Sequence, residues 1–410
     1  MKVLFVDLSP SWGGSLVSLM RLLDHLDTQA FQPLLLMAAH NRAAAGFRER
    51  GIPVYTVPTF RAETARNTAM IRQVKALPVG QQLRTGRFAA LWNLARGARS
   101  FVLRTLPLTW RLWRAIREIR PDLVHINDAV FVNRPAIAAA WLARVPALCH
   151  VRSLGPLSGW DRRWARTVRG FVFISHWVAQ DQAAQGMPVG RGRVIYDGID
   201  LGRYTTVPTK EAARAALGLP QGRRIALALG RLVPWKGQDL FLRAMRHVAD
   251  AMPDALGLVV GAAETYSLDF EPALHALAEE LRLGDAVRFM GHVADPLLPL
   301  AAADVLAHTS TTPEPFGLVM LEAMAAGRPV VTPAEGGGLE IVVDGETGLH
   351  VAPRDEQALA QALLALLRDA PRAARMGQAG RERVSNVFTV RQFAAEMSCF
   401  YCELLGAKTP

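Results

Sequence analysis

Cysteine is scarce: Cys149, Cys399 and Cys402 are the only three in 410 residues. So sparse and odd a set leaves no disulfide framework and points to a reducing, cytoplasmic compartment. The C-x-x-C of Cys399 and Cys402 has no second pair to complete a zinc site, so its plain reading is packing of small apolar side chains. Long apolar runs are missing as well. No window reaches about 18 uninterrupted apolar residues, which excludes a spanning helix. The opening MKVLFVDLSP is broken by Asp7 and reads as a first strand, not a secretory signal. No two aspartates stand two apart, so there is no D-x-D to hold a divalent metal on a diphosphate. Neither G-x-G-x-x-G nor G-x-x-x-x-G-K-[ST] occurs.

What is present is charge of one sign in one place. Residues 61–120 carry thirteen basic residues against Glu63 and Glu118, which accounts for the whole formal charge of +11. The other 350 residues balance. Half the residues are hydrophobic and a fifth charged, an ordinary globular composition that excludes a wholly disordered or fibrous chain. At roughly 150 residues per domain, the length predicts two or three domains.

Short β-branched runs alternate with helical segments from end to end, the pattern of parallel sheets covered by helices. The first set of strands runs from Val3–Leu8 through Leu123–Ile126 to Val194–Tyr196. A polar, Gly/Pro-interrupted stretch over 198–223 reads as a linker. The second set runs from Ile225–Leu229 to Leu349–Val351. Both halves therefore predict doubly wound α/β units. Ligands bind such units beyond the carboxyl ends of the strands, so an active site in a cleft between the two is expected. The predicted division is 1–200, 201–386, and a C-terminal helix at 387–410 crossing back to the N-terminal domain.

The densest local signal is HTSTTPEPFGLVMLEAMAAGRPVV, from His308 to Val331. A strand ends near His308, a polar loop carries Glu314, and a helix starts at Gly317 with Glu322 in its second turn. Free amides at that start make an anion site. Glu314 can then face the same ligand, unless it merely caps the helix and Glu322 is a solvated surface residue. In GRLVPWKG, Arg231 and Lys236 lie at another strand end leading into a helix, a setting that suits a diphosphate. Only five of the 47 basic residues are lysine, which singles Lys236 out as a point charge. The alternative is a surface loop with two ordinary cations. SWGGS, with Gly13 and Gly14, follows the first strand in a phosphate-cradle context and is weak alone. Glu335-Gly-Gly-Gly-Leu-Glu340 offers a further flexible backbone wall.

Taken together, these residues resemble the retaining nucleotide-sugar glycosyltransferases of family 4. That resemblance implies a GT-B fold of two facing Rossmann-like domains. It runs over most of the chain and is strongest over 192–352, where Glu314 and Glu322 meet the family's E-x7-E pattern. VIYDGIDLGRY is similar to the family's domain-junction segment, and DLVHIND to its histidine-bearing strand end. The resemblance implies that Arg231 and Lys236 bind the donor diphosphate, Glu314 the hydroxyls of the transferred sugar, and Glu322 the ribose. It further implies that the amides of Gly317, Leu318 and Val319 meet sugar and phosphate. The backbone near Val293 meets the base, Gly13 and Gly14 close on the phosphate, and His125 touches the donor sugar. Asp197 stands where the family usually has Asn, and Glu264 sits in the turn Gly261-Ala-Ala-Glu264, so both bear on donor choice. The implied reaction moves a sugar from a nucleoside diphosphate to a hydroxyl with anomeric retention. No metal is expected at the diphosphate, and Lys236→Ala should lower turnover sharply with little loss of fold. A non-catalytic nucleotide-sugar-binding or scaffold protein, an inverting GT-B enzyme and an epimerase are the competing readings.

The basic segment lies on the acceptor side of this resemblance. After Pro107, Leu108, Leu112, Ile116 and Ile119 recur on one helical face, with Trp110, Arg111, Arg114 and Arg117 opposite. Phe88–Leu106 mixes aromatic residues with three arginines and is too charged to span a membrane. Arg with Trp suits a headgroup boundary. The expectation is therefore peripheral attachment to an anionic membrane on its cytoplasmic side, near a glycan or lipid-linked acceptor. No recognisable nucleic-acid module is present, so no nucleic-acid partner is expected.

Overall fold

The computed structural model describes residues 1–9, 13–59, 105–264 and 266–407. Of the basic segment, the stretch over 61–104 falls outside these. The described chain forms two compact units. One comprises the described residues of Met1–Val172, Gln182–Arg193 and Ser398–Pro410, and the other Phe173–Asp181 and Val194–Met397.

The first unit is built on a seven-stranded sheet of β1 (Lys2–Asp7), β2 (Gln32–Ala38), β3 (Val54–Val57), β4 (Leu123–Asn127), β5 (Ala147–Val151), β6 (Gly170–Phe173) and β7 (Gly192–Val194), ordered β3-β2-β1-β4-β5-β6-β7. β1 pairs in parallel with both β2 and β4. Strands β4, β5 and β6 are buried at every position. Strands covered on both faces by helices need continuous apolar runs rather than alternation, which is why they read so clearly in the sequence. The last strand lies two residues earlier than the predicted Val194–Tyr196, and the others fall within two residues of expectation.

The second sheet holds β8 (Arg224–Leu229), β9 (Ala255–Val260), β10 (Val287–Gly291), β11 (Val305–Ala307), β12 (Val330–Pro333) and β13 (Gly348–Val351), in the order β10-β9-β8-β11-β12-β13. β8 pairs in parallel with β9 and β11. Its core packs Phe241, Leu242 and Met245 of the helix Gln238–Ala251 and Leu359, Leu363 and Leu366 of the helix Glu356–Arg368 against the strands. In each sheet the strand order reverses beside the first strand, at β1/β4 and at β8/β11. Those switch points open a crevice at the carboxyl ends.

The helix Leu106–Ile119 starts with Pro at its first turn, where the missing N–H is harmless. Its aliphatic face is the expected one: Leu112, Ile116 and Ile119 are buried, while Trp110 is 54% exposed. Arg114 stacks 5.0 Å from the Trp110 ring. No helix among the described residues is long and apolar enough to cross a membrane.

Candidate functional site

At the β8/β11 switch point, two loops meet. The first leaves β8 through Gly230 and Arg231, makes a 3-10 turn over Pro234–Lys236, and enters the helix Gln238–Ala251 through Gly237. Gly237 has φ +69, and a Cβ there would lie 2.0 Å from the Thr309 carbonyl oxygen. Only glycine permits both the left-handed backbone and this approach. The second loop leaves β11 at His308. It is stitched to the first by Thr311 N–H donating to the Trp235 carbonyl (2.9 Å) and Thr309 Oγ1 donating to the Lys236 carbonyl (2.9 Å).

This stitching sets Lys236 Nζ 2.7 Å from Glu314 Oε2, with side chains only 15% and 14% exposed. Ser310 Oγ donates to the same carboxylate at 2.9 Å, and His308 Nε2 lies 3.8 Å from it. Burial pushes the Glu314 carboxyl up. The Lys236 and His308 charges and the bonds from Lys236 and Ser310 more than reverse that, to about 2. Burial brings the His308 imidazole down to about 4, against the pull of Glu314 and with that of Lys236. At neutral pH the cluster is an ammonium, a carboxylate and a neutral imidazole. Trp235 lies beneath the cations, its ring 4.5 Å from Lys236 Nζ and 5.7 Å from Arg231 Cζ. Arg231, 39% exposed, reaches Glu264 Oε1 only at 3.5 Å.

Glu314 does not cap the following helix. Gly317, φ +111, holds that position for Leu318–Ala325 without a side-chain bond. The first intrahelical bond beyond it is Met320 N–H to the Gly317 carbonyl. The amides of Leu318 and Val319 precede it and lack intrahelical acceptors, as first-turn amides do. The loop of Gly336 and Gly337 closes against Glu314 from the other side. Gly337 N–H donates to the Glu314 carbonyl at 2.8 Å, and a Cβ on Gly336 would lie 2.6 Å from that oxygen. Arg231, Lys236, Glu314, Gly317, Leu318 and Val319 thus share one edge of the second sheet, with Glu322 one turn along the helix. Val293 follows β10 at the same carboxyl edge.

Gly13, Gly14 and His125 belong to the first unit. Gly13 caps the helix Gly14–His25, and a Cβ on it would meet nothing within 4 Å among the described residues. His125 needs correction. β4 continues to Asn127, so His125 is an internal strand residue and not its end. It is wholly buried, its Nδ1 2.6 Å from the Tyr401 hydroxyl. Burial, with Arg152 adding to it, holds its imidazole well below the ordinary value. A side chain so enclosed offers no face to a sugar.

The residues at the strand end are the ones sequence reading passed over. Asn127 Nδ2 donates to Asp7 Oδ2 (2.7 Å), and Arg152 Nε to Asn127 Oδ1 (2.7 Å). Asp128 follows at φ +149, a strained backbone for a non-glycine residue and a mark of functional positions. Its carboxylate accepts from Ala129 N–H (2.7 Å) and Ser153 Oγ (2.6 Å), and burial raises its pKa. In the second unit, His308 and Ser310 were the unrecognised members. Their signal was a run of polar residues placed directly after a buried strand.

Comparison with known proteins gives a consistent picture. The model of glycosyl transferases group 1 matches residues 209–383, and that of glycosyltransferase family 4 matches residues 12–203. The chain is 38% identical to a D-inositol 3-phosphate glycosyltransferase of Streptomyces avermitilis over 65% of its own length, and it spans 57% of that relative. It is 38% identical to a GDP-mannose-dependent monoacylated alpha-(1-6)-phosphatidylinositol monomannoside mannosyltransferase of Corynebacterium glutamicum, over 72% of this chain and 79% of that one. Among solved structures, Anabaena HepE in complex with UDP-glucose superposes with a TM-score of 0.79 at 25% identity, covering 98% of this chain and 100% of that one.

Proposed function

Because the chain belongs to the glycosyltransferases of group 1 and family 4, we propose that it transfers a hexose from a nucleoside-diphosphate sugar to a hydroxyl of a glycan or lipid-linked saccharide, with retention of anomeric configuration, in cell-surface polysaccharide or lipopolysaccharide synthesis. The observation that carries this reading is the convergence of Lys236, Arg231, Glu314 and the helix-start amides at one strand-end crevice. A diphosphate entering there competes with Glu314 for Lys236 and draws in Arg231. The released Glu314 carboxylate then faces the sugar hydroxyls, and Glu322 takes the ribose. Charge on the departing nucleotide is met by these cations and amides, so the reaction proceeds without a divalent metal. The donor phosphate takes the acceptor proton on the front face, and no carboxylate becomes a covalent nucleophile.

A thermal-shift panel of nucleotide sugars tests the donor class, since a bound donor raises the melting temperature by mass action. One nucleoside-diphosphate sugar should stabilise the protein, and its product, read by NMR, should keep the donor's anomeric configuration with EDTA present. Stabilisation without turnover favours the binding-protein reading. An inverted product overturns retention.

The name of the Corynebacterium glutamicum relative supports a lipid-linked acceptor, and the helix Leu106–Ile119 supports attachment to an anionic membrane surface on the cytoplasmic side. Trp110 is exposed under Arg114, and Trp141 and Trp160 on other helices of that unit are 56% and 67% exposed. Amphipathic rings among arginines partition to headgroup boundaries. In co-sedimentation, recovery on anionic vesicles should exceed that on neutral ones and fall as salt rises. Equal recovery on both removes electrostatic attachment.

A further inference from the structure

The second unit carries a second cationic site, at the end of its sheet opposite the strand-end crevice. A cavity of about 60 Å³ opens there beside the residues that precede β8, β11 and β12, and Lys210, Arg224, Asp304 and Arg328 line it together with the apolar wall of Leu366 and Ala373. That volume holds several waters' worth of ligand. At about 3.3 Å per residue, the length of β8 separates it from Arg231 by roughly 20 Å.

The charges here do not balance internally. Asp304 is the one acid on the wall, and both its oxygens are taken. Oδ1 pairs with Lys210, while Oδ2 accepts from Arg214 at 2.9 Å and from Ile225 N–H at 2.7 Å. Arg328 is left over, its Nε buried without a hydrogen-bond partner. A buried guanidinium nitrogen with no acceptor is costly. Burial pulls this guanidinium below its ordinary value, against the attraction of Asp304 and the more distant Glu211 and with the repulsion of Arg214. Arg224 adds another cation. Fork-shaped guanidinium donors beside an ammonium match the oxygens of a tetrahedral oxyanion, and the aliphatic wall leaves room for a carbon body behind it.

We propose that this cavity binds a phosphate group, free or as the monoester of a small metabolite, at a site separate from the one that takes the donor. Its walls include the residues leading into β8, β11 and β12, the same strands whose other ends carry Arg231, His308 and the Gly336 loop. An anion held here therefore stiffens the strands that position the crevice.

The test is a thermal titration of the full chain with inorganic phosphate and, separately, glycerol 3-phosphate, each against chloride at equal ionic strength. The expected result is a saturable rise of about 2–4 °C with at least one probe. The rise should persist in Lys236→Ala, which disables the crevice, and vanish in Arg328→Gln. Arg224→Gln, on the same wall, should weaken it about tenfold in midpoint concentration and serves if Arg328→Gln does not fold. The probe with the lower midpoint identifies the carrier. A full rise in Arg328→Gln, an unchanged midpoint in Arg224→Gln, loss of the rise in Lys236→Ala, or no rise in the wild type overturns the site.

Discussion

Replacing Lys236 with alanine is expected to lower turnover at saturating donor by about 10²- to 10³-fold, the effect of removing one preorganised stabiliser of charge developing in a transition state. In the proposed reaction the leaving group is a nucleoside diphosphate, and Lys236 is the half-buried point charge in the turn beyond the strand end. The sequence reading, which gives Lys236 to the donor diphosphate, expects its loss to spare the fold. The structure revises this, because its ammonium is the main partner of the buried Glu314 carboxylate. Breaking such a pair from one side leaves an uncompensated charge, at about 3–5 kcal/mol for a fully buried pair. Ser310 still donates to that carboxylate, so the loss should fall at the low end. Activity and stability are separable by the double variant Lys236→Met with Glu314→Gln, which removes both charges. It should melt near the wild-type temperature and remain inactive. A folded Lys236→Ala with near-wild-type turnover would remove Lys236 from the chemistry.

Acid should destabilise the second unit in two steps. An unfolded His308 binds a proton below its ordinary value of 6.5, while the folded one refuses it until about 4. The unfolded state therefore carries the extra proton across that window, and stability falls as pH drops from 6.5 to 4 by up to about 3 kcal/mol. For Glu314 the folded value of about 2 lies below the ordinary 4.5. Its contribution is complete above 4.5 and drains away as pH falls toward 2, by up to about another 3 kcal/mol. Melting temperatures measured from pH 7 to pH 3 should slope downward throughout. In His308→Gln the slope between 6.5 and 4.5 should flatten, leaving the lower step. An unchanged upper slope in that variant would assign the early loss to other groups.

Much of this was legible beforehand for a simple physical reason. Strands buried on both faces must be apolar throughout, and glycines must stand where backbones touch, so β8, β11, β12 and the glycines at 237, 317 and 336 announce themselves. The pairing of Lys236 with Glu314 spans 78 residues, and no local pattern encodes it. The misreading of His125 has the same origin. Its neighbour Tyr401 lies 276 residues away, and without that ring over it a histidine near a strand end looks available. The strain at Asp128 is a backbone property that side-chain types do not reveal. Leu112, Ile116 and Ile119 were predictable because helical periodicity is local.

The contact of Gly237 with Thr309 has a further consequence. Backbone touching backbone leaves no side chain to give way, so the loop bearing the two cations and the loop bearing Glu314 form one solid jaw. A substitution that shifts either loop shifts the other, and the spacing of ammonium to carboxylate survives only if both change together. Divergence among related chains should therefore accumulate on the rim of this jaw, at positions such as Glu264 and Val293, while its hinge-free interior is inherited as a block.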